Sequence, residues 1–154
     1  MSRFKARQTI ANPAQLTRLI ERLGALHPDT PREWGTLNPG EMLCHLSDAS
    51  ASVMVRDSSD SSPHRFLKWL ALSAPIAWPR GLETPPGVDP KADGTRPGDF
   101  EADRRRAIAG LQALAEASAS DLATSHSAFG PMTARDWHRW AYRHTDHHLR
   151  QFGL

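Results

Sequence analysis

The chain is 154 residues long, the usual size of one domain and enough to enclose one hydrophobic core. A net charge of only +2, with no block of like charges, gives no reason to expect nucleic acid as a partner. Cys44 is the only cysteine, which excludes an intramolecular disulfide. No apolar run follows the charged start Met1 to Gln8, and the longest one, Phe66 to Trp78, contains Lys68 and Pro75 and is too short to span a bilayer. These features lead us to expect a cytoplasmic protein, one domain over 1–154, with no membrane partner.

The first helix should begin at Asn12, with Pro13 at the first helical position, where the missing N–H costs nothing. Leu16, Leu19, Ile20 and Leu23 then recur at helical spacing and form one apolar face. The second helix repeats the Asn-Pro start at Asn38-Pro39 and adds Glu41 in the manner of a capping box. Met42, Leu46, Ala49 and Val53 make its apolar stripe. His45 lies at the edge of that stripe, with Glu41, Asp48 and Ser52 on its other side, so it should sit at the mouth of a core. Ser58 to Ser62 reads as a polar break and Phe66 to Ser73 as a short helix stopped by Pro75. Residues 78–98 hold five prolines and four glycines and have no period of either kind. We expect a long ordered loop or a flap there, a candidate lid or specificity element. A helix from Asp99 to about Ala117 follows, with Phe100, Ala107, Ile108, Leu111, Leu114 and Ala115 on one face and Arg104 interrupting it. Thr133 to Asp136 is a capping-box-like start for the last helix.

At about 100° per residue, Trp137, Trp140, Ala141, His144, His148 and Gln151 of that last helix share one stripe. Arg139, Arg143, Asp146 and Arg150 fall on another face, with Asp136 at its border, and read as surface ion pairs at helical spacing. Four substantial helices without strand alternation predict an all-α four-helix bundle. His144 and His148 are i,i+4 and project from one face a turn apart, the spacing two imidazoles need to hold one metal ion. His45, on another helix, is the candidate third ligand. Three neutral imidazoles leave a divalent ion with full charge and an open position, suited to activating water or a thiol. His147 diverges from His148 by about 100° and should be a flanking residue rather than a ligand.

A histidine on an apolar face is more often a hydrogen-bonded core residue than a ligand. Asp48, three residues after His45, is a candidate to orient an imidazole, accept a proton or bind metal, against the more ordinary exposed helix carboxylate. Cys44 is turned about 100° from His45 and reads as a buried, inert thiol. His126 should be held in a loop by a backbone contact, His138 exposed on its helix, and His27 and His64 on the surface. Trp137 and Trp140 should be core, and Arg104-Arg105-Arg106 a solvated helix face. No Gly-rich phosphate loop and no His-Glu-x-x-His motif is present, so the general base of a zinc protease is missing.

His45 in Met42-Leu-Cys-His-Leu, together with His-x-x-x-His-x-x-Gln over His144 to Gln151, resembles the DinB/YfiT-like superfamily of proposed metalloenzymes. Trp34 ahead of Asn38-Pro39, the His126-x-x-Phe129-Gly130 loop, Trp137 and the ending from Tyr142 to Gly153 are similar to one branch of it. The more usual His-Arg-Gly-Gln ending is His148-Leu-Arg-Gln here. The resemblance implies an up-down-down-up bundle with a divalent transition metal, often zinc or nickel, held by three histidines and completed by water. It also implies action on a small-molecule substrate, as a hydrolase or as a transferase using a low-molecular-weight thiol. A homodimer is expected because relatives with this bundle often pair and two-fold symmetry is the commonest closed arrangement. The rival readings are a metal-binding bundle without catalysis, in which the ion only ties two helices together, and an interaction module without metal.

Overall fold

The computed structural model describes residues 8–54 and 63–154; the expected polar break at Ser58 to Ser62 lies outside them. The fold is mostly helical. Helix α1 spans Pro13–Ala25, α2 Pro39–Val53, α3 Arg65–Leu72, α4 Phe100–Glu116 and α5 Ala134–Arg150. Single 3-10 turns occur at Pro86–Val88 and Ala119–Asp121. Ser125–His126 (β1) pairs antiparallel with Gly130–Pro131 (β2), and this is the one sheet among the described residues.

The local chemistry at each helix start explains its position. Asn12 accepts from the Gln15 amide at 3.2 Å, and Pro13 takes the first helical position. At α2 the cap is reciprocal: Asn38 Oδ1 accepts from the Glu41 amide and Glu41 accepts from the Asn38 amide, both at 2.8 Å. Thr133 and Asp136 make the same exchange at the start of α5. Each such cap stabilises its helix by about 1 kcal/mol. Asp99 caps α4 through the Ala102 amide.

The apolar stripes meet in one core. Leu19 and Leu23 of α1, Met42, Leu46, Ala49 and Val53 of α2, Leu111 and Leu114 of α4, and Trp137, Trp140 and Leu149 of α5 are all buried in it. The most extensive helix contact is between α2 and α4, while α5 touches α1, α2, α3 and α4. Close approach of α2 and α4 depends on Gly110, because a Cβ there would stand 3.0 Å from that of Ser50. Removing a fully buried leucine from such a core, for example Leu114, costs about 2–5 kcal/mol.

The charged face of α5 faces solvent only in part: Arg150 is exposed and pairs with Asp146 at the expected i,i+4 spacing, whereas the rest is covered by neighbouring chain. Arg139 is buried at 6 % exposure. Arg143 donates to the carbonyls of Ala74, at 2.9 Å, and Ile76, so it holds the chain that leaves α3. Asp146 accepts from Arg22 of α1 and from Arg150, each at 2.8 Å, and Asp136 pairs with Lys68 of α3 at 2.7 Å. The stripe is a clamp for α1 and α3.

Residues 78–98 form an ordered strap rather than a free flap. Lys91 donates to the Thr36 carbonyl at 2.8 Å. The backbone N–H of Thr95 donates to Asp48 at 2.6 Å and its hydroxyl at 2.8 Å. Among the described residues no helix is long and apolar enough to cross a membrane.

Candidate metal centre

His45, His144 and His148 converge. One ring nitrogen of each lies within 4.8 Å of the others, and the ring centroids are 4.5 to 4.9 Å apart. Helix α5 supplies two of the three from successive turns, and the α2–α5 contact brings the third. All three residues are at most 9 % exposed. Among the described residues no carboxylate or thiol joins the group.

Hydrogen bonds at the far side of two rings decide which nitrogen carries the lone pair. Nδ1 of His45 lies 2.8 Å from the Val88 carbonyl oxygen, an acceptor only, so Nδ1 carries the proton and Nε2 the lone pair. Nδ1 of His148 lies 2.8 Å from Gln151 Oε1 and is fixed in the same sense. His45 Nε2 in turn faces His144 Nε2 at 2.9 Å. Such outward N–H donation to a carbonyl or amide oxygen is the usual support of a metal-binding imidazole. The donor set therefore fits a divalent transition metal.

Burial, chiefly, lowers the pKa of His45, against the opposing pull of the Val88 bond. His144 and His148 are pushed well below the ordinary imidazole range, first by burial and then by their histidine neighbours. The cluster is thus uncharged at neutral pH, which is the form that binds metal. Around it, Trp140 stacks on His144 with centroids 4.6 Å apart and planes 11° from parallel, and Trp78 lies 6.2 Å from the same ring. Gln151 itself is seated against Gly35, whose φ is +88°; a Cβ there would stand 2.6 Å from the Gln151 amide nitrogen.

A sequence profile of the DinB superfamily matches residues 8–152. The chain belongs to the DinB superfamily. No curated protein and no solved structure gives a significant match. For this DinB member the matched span contains all three histidines of the cluster.

Other candidates are placed differently. Asp48 does not orient His45: both of its oxygens hold Thr95, and the Val88 carbonyl takes the orienting role. Cys44 is fully buried, lies outside the cluster, and its thiol is pushed up to about 11 by burial and then by Asp103. His147 is buried beside Trp34 and Trp78 rather than in the cluster. His126 accepts from the Ala128 amide at 3.0 Å and stacks on Phe129, and burial lowers its pKa to about 4. His138 is not the exposed position its sequence suggests; it is half-buried, with Nε2 3.0 Å from the Leu114 carbonyl near the end of α4. His27 and His64 are exposed. Arg104 bonds the Leu26 carbonyl and Arg106 bonds Asp103, so the arginine run is only partly a solvated face. The residues that sequence reasoning missed are Val88, which acts through its backbone, and Trp78.

Proposed function

We propose that this DinB member is a divalent-metal-dependent enzyme in which His45, His144 and His148 hold the ion through Nε2. The fold reading that goes with it is one domain over 1–154, an up-down-down-up four-helix bundle of α1, α2, α4 and α5 with α3 as an addition. The observation that carries the metal reading is the pair of outward Nδ1 contacts, His45 to Val88 and His148 to Gln151, which leave lone pairs turned into the cluster. Bound there, zinc or nickel supplies a Lewis acid with an open position, able to activate water or a small thiol. The chain's own part is to keep three imidazoles neutral, fix the tautomers of His45 and His148 and exclude bulk water with Trp140 and Trp78. The reaction class is S-transfer from a low-molecular-weight thiol, or hydrolysis, on a small-molecule substrate. Cytoplasmic location and a homodimer complete the reading.

Deep burial of all three histidines favours a second reading, a metal that ties α2 to α5 without catalysis. Cobalt substitution separates the two. Protein purified without a histidine tag is loaded with cobalt(II) and titrated with 2-mercaptoethanol. A sulfur-to-cobalt charge-transfer band supports an open position for a thiol. A cobalt spectrum that thiol leaves unchanged supports the tie, and failure to bind cobalt at all rejects both.

A further inference from the structure

A groove of about 670 Å³ runs between the segment leaving α3 and the end of α5. His147 and Trp78 are in its wall, and both also border the histidine cluster: Trp78 is 6.2 Å from the ring of His144, and His147 is 5.2 Å from that of His148. His147 is 8 % exposed, yet neither of its ring nitrogens has a hydrogen-bonding partner among the described residues. The buried side-chain atom without a partner among the described residues is Arg104 Nε, so the unpaired nitrogens of His147 are open to the groove, where a polar group of a ligand can meet them.

The rest of the wall specifies that ligand. The indoles of Trp34 and Trp78 flank His147 at 5.0 and 5.8 Å, giving flat apolar surface. Arg80 lies 5.2 Å over the Trp34 ring, is exposed, and has no acidic partner among the described residues. Arg80, Arg143 and Arg150 line the groove together with Glu33 and Asp146, and of the three arginines Arg143 is engaged by the Ala74 and Ile76 carbonyls and Arg150 by Asp146. Asp146 is already held by both Arg22 and Arg150, so it does not neutralise Arg80. A planar apolar body against indole and an anionic group at a free guanidinium are what such a wall accepts.

We propose that the groove binds the substrate as a small organic anion with a flat apolar body, Arg80 gripping the anion, Trp34 and Trp78 packing the body, and His147 hydrogen-bonding a polar group on it. As a substrate site it rests on the metal-dependent reading, but binding itself needs only the groove.

The test is a titration of 15N-labelled protein with 2-naphthoate and with its neutral counterpart 2-naphthalenemethanol, read on the tryptophan indole N–H signals. It is run on chelator-treated and on zinc-loaded protein. The Trp34 and Trp78 signals should move with naphthoate in both samples, with that of Trp69 on α3 unmoved. Arg80→Gln should weaken naphthoate roughly ten-fold, the loss expected for one charge-assisted contact, and leave the alcohol unchanged. Movement of Trp69 alone, equal affinity for acid and alcohol, or a response found only with zinc present would overturn the groove as the recognition site. Zinc content of the same samples reports on the metal reading separately, so either idea can fail without the other.

Discussion

His144 and His148 stand a turn apart on α5, and the helix alone sets the distance between them. The bond that fixes His148 is equally local, to Gln151 at 2.8 Å on the next turn. His45 comes from α2, and its orienting partner is the carbonyl of Val88, in a strap that reaches it only because Thr95 is fastened to Asp48 and Lys91 to the Thr36 carbonyl. One side of the cluster is preorganised by a single helix. The other side is assembled from three separate pieces of chain, so the His45 side should be the softer one and the α5 side should dominate metal retention.

The largest effect should follow from breaking the rigid side. His148→Ala removes one of three ligands and should weaken metal binding by orders of magnitude. His138→Ala, on the same helix but bonded to the Leu114 carbonyl, should leave metal content unchanged and cost about 1 kcal/mol of stability. Metal analysis after dialysis against a weak chelator distinguishes them. Equal retention by the two variants would remove His148 from the site.

Next in size is the soft side. Asp48→Ala releases Thr95 and loosens the strap that carries Val88, without touching a ligand. It should lower metal affinity about 10- to 100-fold, the usual cost of losing an orienting partner. The histidine 15N shifts of the metal-free variant should show His45 sampling both tautomers while His148 keeps one. Unchanged affinity and a single His45 tautomer would mean that the strap does not position that ring.

Chelation should have a smaller structural consequence. The core is built from leucines and tryptophans of four helices, so metal removal should lower the melting temperature yet leave the helical circular dichroism intact at room temperature. Loss of most of that signal would show that the ion holds the fold together.

The smallest effect on the cluster, none, is expected at the outer face of α5. Burial raises the Asp136 pKa, but the Lys68 and Thr133 hydrogen bonds outweigh it and hold the carboxyl below its usual range. A depressed carboxyl contributes stability above its unfolded pKa of about 4, and that contribution disappears as the pH falls through the lower, folded value. Lys68→Met should therefore destabilise the protein at neutral pH, and its difference from wild type should shrink in acid. Thermal melts across that range check the sign, and a difference that grows on acidification would contradict it.

Much of this was legible in the residues, for identifiable reasons. Asn12-Pro13, Asn38-Pro39-x-Glu41 and Thr133-x-x-Asp136 mark helix starts because side chain and backbone exchange hydrogen bonds within four residues. The i,i+4 spacing of His144 and His148 is a property of any helix. Val88 was not legible, because the group it contributes is a carbonyl that every residue possesses. The Asp48–Thr95 fastening joins residues 47 apart and has no local signature. Arg139 and Arg143 follow the pattern of a solvated face, and only the path of the chain after α3 covers them. Strands β1 and β2 are too short for any alternation to show.

The most direct test of the central claim is a crystal structure of zinc-loaded protein, purified without a tag, with anomalous differences collected on both sides of the zinc edge. The account predicts one strong peak at roughly 2.0–2.2 Å from Nε2 of His45, His144 and His148, with an exchangeable ligand completing the shell. Three imidazoles without a peak among them, or a peak held through His147 in place of His148, would contradict it.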